Sequence, residues 1–270
     1  MRIDLHIHST ASDGSLSPSA LVWAARTGGL DIIAVADHDT VSGIAEAKAA
    51  SQDRVHVIPA VEFSTTHDCG EVHILGYFID PAYPDLLAYT LDAVEKRRER
   101  VRGMLARLAP YGITVTLDEV VQLAQPGTRM LGRPHVARAL VQRGFVQSVG
   151  EAFDRFLGDS APAFLPTEMI TPRNAIELIH SAGGFAVWAH PRLSTLEREV
   201  DRFVDWGLNG LECYRPNAGA ADIRYIEELC RKHGLMITGG SDWHGAWQGK
   251  LGDFYVNGAD VEALLDAGGI

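Results

Sequence analysis

The stretch DLHIHSTASDG, residues 4–14, sets His6, His8 and Asp13 at the end of a short apolar run, and the rest of the chain is read outward from it. Side chains in a strand alternate faces, so two histidines two residues apart point the same way and can grip one ion while Ile7 packs behind them. Five further pieces have the same character: VADHDT with Asp37 and His38, AVEFS with Glu62, EVHILGY with His73, VWAHP with His190, and TGGSDWHG with Asp242 and His244. Most stand where an apolar run meets a loop. Ligands scattered along a chain yet parked at strand ends converge only if those strands lie side by side, so the pattern predicts a polynuclear metal centre at one end of a sheet. One HxH pair is a weak signal, but six of the eleven histidines fall at such positions, each beside carboxylates or glycine.

Candidate strands are residues 2–7, 31–36, 55–61, 71–78, 185–189, 209–213 and 235–239. Between several of them lie helical patterns: Ser17 as N-cap with Pro18 in the first turn, then Val41 to Ala50, Pro172 to Ala182, Leu196 to Trp206 and Ala220 to Lys232. Strands alternating with helices predict right-handed crossovers and a largely parallel sheet, and curling seven such units gives an α/β barrel, residues 1–80 and 167–270. Residues 81–166 break the alternation with four helical patterns, 84–108, 117–124, 133–143 and 149–157, and no convincing strand. They read as an all-helical insertion, leaving at FIDPAYPD and returning at FLPTEMITP, with both ends expected on the side where loops follow strands, so that the block caps the site as a lid.

Hydrophobic residues at 46% and charged ones at 22% are ordinary globular values, which argues against disorder and against a membrane protein. The odd, unpatterned Cys69, Cys213 and Cys230 and an N-terminus that enters the first strand at once predict a reduced, cytoplasmic setting. A net charge of −11 would repel anions, but its distribution is uneven: residues 81–166 hold eleven Lys and Arg against nine Asp and Glu, about +2, leaving −13 elsewhere. EKRRERVR, residues 95–102, reads either as a solvated helix face with intrahelical pairs or as a binding surface. Arg133 and His135, in GRPH at a helix start, are candidates for gripping a phosphate, since a guanidinium fork and a helix N-terminus both suit phosphate oxygens; Arg215 and Asn217 in CYRPN join them at the mouth. No continuous basic track suits long nucleic acid, so a small phosphorylated substrate or a short oligonucleotide is expected and no membrane partner.

HxH with a following Asp, DHD, a single Glu after the third strand, HILGY, AHP and GSDWH, in this order, resemble the PHP superfamily, named for polymerase and histidinol phosphatase, and the resemblance spans the whole chain. Within it the chain is most similar to stand-alone phosphoesterases that act on nucleoside 3′,5′-bisphosphates and on the 5′ ends of short RNAs. The resemblance implies a distorted (β/α)7 barrel with one metal on His6, His8, Glu62 and Asp242, a second on Glu62, His73 and His190, and a third on Asp13, His38 and His244. Catalysis is then expected to depend on Glu62, His8 and Asp242, with a hydroxide nucleophile generated by two or three divalent cations, manganese by family habit and iron or zinc by ligand chemistry. Asp37 and Asp39 are expected to orient His38 or nearby waters, and His135 is one guess for the leaving-group proton donor. Relatives often carry a basic residue near FLPT, where this chain has Thr167. Histidinol-phosphate phosphatase, a noncatalytic polymerase-associated module and a generic amidohydrolase are the alternatives, the last disfavoured because no Lys occupies these strand ends.

Overall fold

The structure, a computed structural model, describes residues 1–52, 54–68, 70–125, 128–166 and 168–270; Cys69 and Thr167 lie outside the described residues. The first half of the barrel runs β1 (Arg2–Ile7), α1 (Pro18–Thr27), β2 (Ile32–Val35), α2 (Ile44–Ser51), β3 (His56–His67) and β4 (Gly70–Tyr77). The Ser17 side chain accepts from Ala20 N at the start of α1, as the Ser-Pro pair foretold. β1, β2 and β3 are parallel neighbours.

β4 departs from the parallel rule. Only residues 68 and 69 separate it from β3, and so short a connection can join strands only antiparallel. Glu62 accordingly stands opposite Leu75, and Ser64 opposite His73. This reversal corrects the expected placement of the insertion. Tyr77, the last residue of β4, pairs with Ala60 near the start of β3 and with Phe185, so the chain leaves the barrel at the end opposite the ligand cluster. α3 (Pro84–Leu108), 25 residues and about 37 Å long at 1.5 Å per residue, then climbs the flank and carries the insertion up to the mouth. Leu86 near its start joins the barrel core with Phe63 and Ile179. Only the return, where Met169 N donates to Thr66 and Thr66 N to Ile170, lies at the mouth as expected.

Beyond α3 come α4 (Leu117–Leu123), α5 (Arg133–Gln142) and α6 (Val149–Ala152), the last running into a π-turn, Phe153–Leu157. Val101, Met104, Leu108, Val120, Val136, Leu140 and Phe156 form a core separate from that of the barrel. α7 (Pro172–Ser181) descends to β5 (Phe185–Trp188), followed by α8 (Leu193–Asp205), β6 (Gly210–Tyr214), α9 (Ala220–His233) and β7 (Met236–Gly239). β5, β6 and β7 are parallel again. Two elements went unread in the sequence: β8 (Val256–Asn257), which pairs antiparallel with β1, and α10 (Glu262–Gly268). The barrel closes where residues after β7 meet β1, with His8 N donating to Trp243 O (2.9 Å) and Ser241 N to Asp4 Oδ1 (2.8 Å). Among the described residues no helix is long and apolar enough to cross a membrane.

Candidate metal centre

Six strands or their trailing loops deliver side chains to one pit. β1 presents His6 and His8, whose rings lie 5.1 Å apart and whose Nε2 atoms both come within 3.4 Å of Asp242 Oδ1. β3 supplies Glu62, completely buried, and its two oxygens divide the surrounding imidazoles between them. Oε2 faces His38 Nδ1 at 3.0 Å, His6 Nε2 at 3.2 Å and His8 Nε2 at 3.3 Å. Oε1 faces His73 Nδ1 at 2.9 Å and His190 Nε2 at 3.0 Å. Asp13 lies 3.3 Å from His244 Nε2, 3.9 Å from His8 Nδ1 and 4.0 Å from His38 Nε2.

Three groups of these atoms are compact enough to hold an ion: His6, His8, Glu62 and Asp242; His8, Asp13, His38 and His244; and His38, Glu62 and His73. The first matches the set read from the sequence. The second adds His8 to the expected trio, and the third has His38 beside Glu62 and His73, with His190 reaching the same Glu62 oxygen as His73. All nine residues singled out as ligands thus meet in one place.

Whether the pit suits cations can be judged from its unsatisfied atoms. His6 Nε2, both nitrogens of His8, His38 Nδ1 and Glu62 Oε2 are buried without a hydrogen bond, although each has a charged or lone-pair-bearing neighbour close by. Buried polar groups left this way are costly, and a divalent ion with mixed imidazole and carboxylate ligands satisfies them. Against the burial that pulls them down, Asp242 and Glu62 push His8 up to about 10, and Glu62 with Glu71 pushes His73 up to about 10. Burial raises Glu62 and Asp13, but the imidazoles around them win and hold both well below the carboxylate range. His190 and Asp242 have φ of 31° and 52°, a left-handed backbone that non-glycine residues adopt only when their surroundings demand it.

A second set of residues orients the first, and sequence reading missed it. Glu212 Oε1 accepts from His6 Nδ1 (2.9 Å) and its Oε2 from His190 N (2.7 Å), while Glu71 accepts from His73 Nε2 (3.1 Å). The available signal was a lone Glu inside the apolar run GLECY. Of the two roles expected of Asp37 and Asp39, orienting His38 or nearby waters, the first is not seen: neither hydrogen-bonds His38 among the described residues. Asp37 binds Ser9 N, Ser9 Oγ and Ser12 Oγ at 2.7–2.8 Å, which fixes the STASDG loop that carries Asp13. Asp39 pairs with Arg97 from α3 and accepts from Tyr89 Oη (2.7 Å) and Ser64 N (3.0 Å). EKRRERVR therefore divides: Arg97 is buried in that pair, whereas Arg98 and Arg102 make exposed pairs with Glu95 and Glu99.

Two clefts open beside His190. One, about 410 Å³, runs from His73 and His190 to Arg133, Arg192, Asp159 and Phe164. The other, about 520 Å³, lies against Asp242 and is lined by Arg215, Asn217 and Lys250. Arg133, Arg215 and Asn217 thus border the centre as expected, with Arg192 and Lys250 unforeseen beside them. His135 lines neither cleft: it is buried near Asp13, and its Nδ1 accepts from Gly132 N (3.1 Å). Burial pushes it down to about 4, so at neutral pH it is an uncharged imidazole and a poor general acid.

A barrel mouth furnished in this way defines a class, the metal-dependent hydrolases. Within that class the chain belongs to the PHP domain family, whose profile matches residues 4–151. It is 35% identical over 249 residues to a 5′-3′ exoribonuclease of Haemophilus influenzae, covering 90% of each chain. It is 34% identical over 253 residues to a 3′,5′-nucleoside bisphosphate phosphatase of Chromobacterium violaceum, covering 92% of this chain and 88% of the relative. Its fold is similar to the crystal structure of a protein from Bifidobacterium adolescentis assigned as a metal-dependent phosphoesterase, with a TM-score of 0.89 and 29% identity over 98% of this chain and 96% of that one. The chain is a phosphoric ester hydrolase.

Proposed function

We propose that the chain hydrolyses nucleotides carrying two phosphates, converting a nucleoside 3′,5′-bisphosphate to the nucleoside 5′-monophosphate and phosphate. The observation that carries this reading is the first cleft, which starts at two imidazoles on Glu62 Oε1 and ends on Arg133 and Arg192. A substrate with one phosphate needs the ligand cluster alone; a cationic subsite one cleft away suits a second. Histidinol phosphate, a cation with a single phosphate, gains nothing from those arginines.

His6, His8, Glu62 and Asp242 would hold one cation, Glu62, His73 and His190 a second, and Asp13, His38 and His244 a third; the mixed imidazole and carboxylate set suits manganese, iron or zinc, and manganese is preferred from the family resemblance. Bound there, such ions supply a water acidic enough to attack near neutral pH and positive charge against the phosphoryl oxygens. The chain does the rest. Glu212 keeps the His6 proton on Nδ1 so that Nε2 faces the pit as a lone pair, and Glu71 does the same for His73 Nδ1. Glu62 sets the spacing of five imidazole nitrogens with one carboxylate. Residues 81–166 would form a subdomain over this mouth, anchored to the barrel core through Leu86 and carrying a core of its own from Val101 onward. The free, buried Cys213 and Cys230 suit a reducing, cytoplasmic setting.

The second cleft favours one extension of the reading. With Arg215, Asn217 and Lys250 in its lining beside Asp253, it would give room and two cationic contacts to a short RNA whose 5′ end reaches the ligand cluster. Phosphate release measured in parallel on adenosine 3′,5′-bisphosphate, AMP and histidinol phosphate with manganese tests the proposal. A bisphosphate preference of at least tenfold in kcat/KM, about 1.4 kcal/mol of added transition-state binding, supports it, and a preference for histidinol phosphate refutes it.

A further inference from the structure

The first cleft holds a carboxylate where a phosphate-binding surface would be expected to leave space. Asp159 Oδ1 accepts from Arg133 Nη1 (2.8 Å), at the start of α5, and Oδ2 from Arg192 Nη2 (3.2 Å), in the turn after β5. One side chain of the insertion thus joins the two guanidiniums that face each other across the cleft. The segment bearing it is set in an unusual backbone. It follows the π-turn Phe153–Leu157, and Ser160, the next residue, has φ of +77°, a conformation serine adopts only when held there. Gly158, just before, is packed so that a Cβ would fall 2.8 Å from Phe153 O, which fixes the approach of the loop.

The grip itself is shallow. The Asp159 side chain is 56% exposed and that of Arg192 81%, so both pairs are screened by water. Arg133 is the more enclosed partner, 22% exposed, with Phe153 and Phe164 rings 5.8 and 5.5 Å from its guanidinium as contacts independent of Asp159.

Resting on the reading of this cleft given above, we propose that Asp159 is an internal stand-in for the second phosphate of the substrate, a latch that closes the subsite in the free enzyme and is displaced only by a ligand carrying that phosphate. A carboxylate offers one charge and two oxygens; a phosphate monoester near pH 7 offers almost two charges and three oxygens, and takes both arginine forks at once. Because the latch is tethered, it competes at an effective concentration on the order of millimolar, enough to keep weak anions out but not a well-placed dianion. Asp159 therefore acts as an internal competitor that sets the affinity of this subsite. It makes binding of the non-reacting phosphate a condition for opening the cleft, and a substrate with one phosphate leaves it shut.

The test uses the manganese-loaded enzyme and two substrates, adenosine 3′,5′-bisphosphate and p-nitrophenyl phosphate, which has no second phosphate. Asp159→Asn should lower KM for the bisphosphate about fivefold, the scale two exposed ion pairs represent, at constant kcat. KM for p-nitrophenyl phosphate should not follow. Arg133→Gln, run alongside, should raise KM for the bisphosphate and serves to separate two kinds of failure. If Arg133→Gln leaves that KM where it was, the second phosphate does not bind in this cleft and both the reading and the latch are wrong. If it rises while Asp159→Asn changes nothing, raises KM, or lowers KM equally for both substrates, the latch alone is overturned. A thermal melt of each variant confirms that the comparison is between folded proteins, and Asp159→Ser replaces any Asn variant that melts early.

Discussion

Glu212 Oε1 lies 2.9 Å from His6 Nδ1 at the floor of the pit, and its other oxygen takes the His190 amide at 2.7 Å. One buried carboxylate thus sets the tautomer of one candidate ligand and the backbone of another that sits at a positive φ. Partners of this kind typically contribute 10–100-fold to metal affinity, on the order of their removal. Glu212→Gln should lower manganese affinity by about that factor in isothermal titration, with activity restored by excess metal. Unchanged affinity would show that His6 needs no support from β6.

Glu62 is the residue on which five imidazole nitrogens converge, so its replacement should be more severe than any other. Glu62→Gln and His8→Ala should each cost at least about 10³-fold in kcat, since each removes a charge or donor that no neighbour duplicates. Far-UV circular dichroism should stay as in the wild type, because neither side chain belongs to the apolar clusters that hold the barrel together. Full turnover in either variant removes the basis of the site.

The cation-free protein should lose stability on both sides of a narrow pH window. His8 and His73 have folded values near 10 against about 6.5 unfolded, so the stability they contribute is complete below pH 6.5 and is lost as pH rises towards 10. Glu62 and Asp13, lowered in the folded state, contribute above their ordinary range near 4 and lose it in acid. Cations displace the imidazole protons, so metal binding strengthens as pH rises. Melting curves with and without manganese should therefore diverge between pH 6.5 and about 8.5. A gap that narrows over this range would contradict the proton-for-cation exchange.

Arg97 ties the insertion to the barrel through Asp39, next in sequence to His38. Both side chains are buried, and removing one partner of such a pair strands the other charge at a cost of about 3–5 kcal/mol. Arg97→Met should lower urea stability by that order, and the Asp39→Asn, Arg97→Met double variant should recover part of it. An additive double variant would mean that the two charges act independently.

What the sequence disclosed depended on periodicity and on residue type. Most of the nine ligands stand at or just beyond strand ends because barrel strands end at a common mouth, whereas Glu62 and His73 sit inside β3 and β4, the first of which runs on past its expected end; α3 was legible because Pro84 opens it and buried positions recur at helical spacing to Leu108. The reversal of β4 was not legible, since an apolar run has no direction; only the two-residue gap before Gly70 encodes it. β8 is two residues long, below any period. Glu212, Asp39 and Arg97 were hidden for a different reason. A buried charge and an exposed one look alike in sequence, and only the packing of α3 and β6 against the pit distinguishes them.

Gly240 joins fold and chemistry at the seam where the chain after β7 meets β1. A Cβ there would lie 2.3 Å from His6 Cβ and 2.5 Å from His6 N, closer than folded proteins tolerate, and the neighbours are backbone and a β-carbon that cannot swing aside. Gly240→Ala must therefore push β1 away from the following loop, which carries Asp242 two residues on. Overpacking of this kind costs about 1–3 kcal/mol, a fall in Tm of roughly 2–4 °C per kcal/mol at this chain length. The displacement separates His6 from Asp242, now both within 3.4 Å through Oδ1, so manganese affinity should fall together with Tm. Loss of Tm with full metal affinity would mean that the first cation does not bridge this seam.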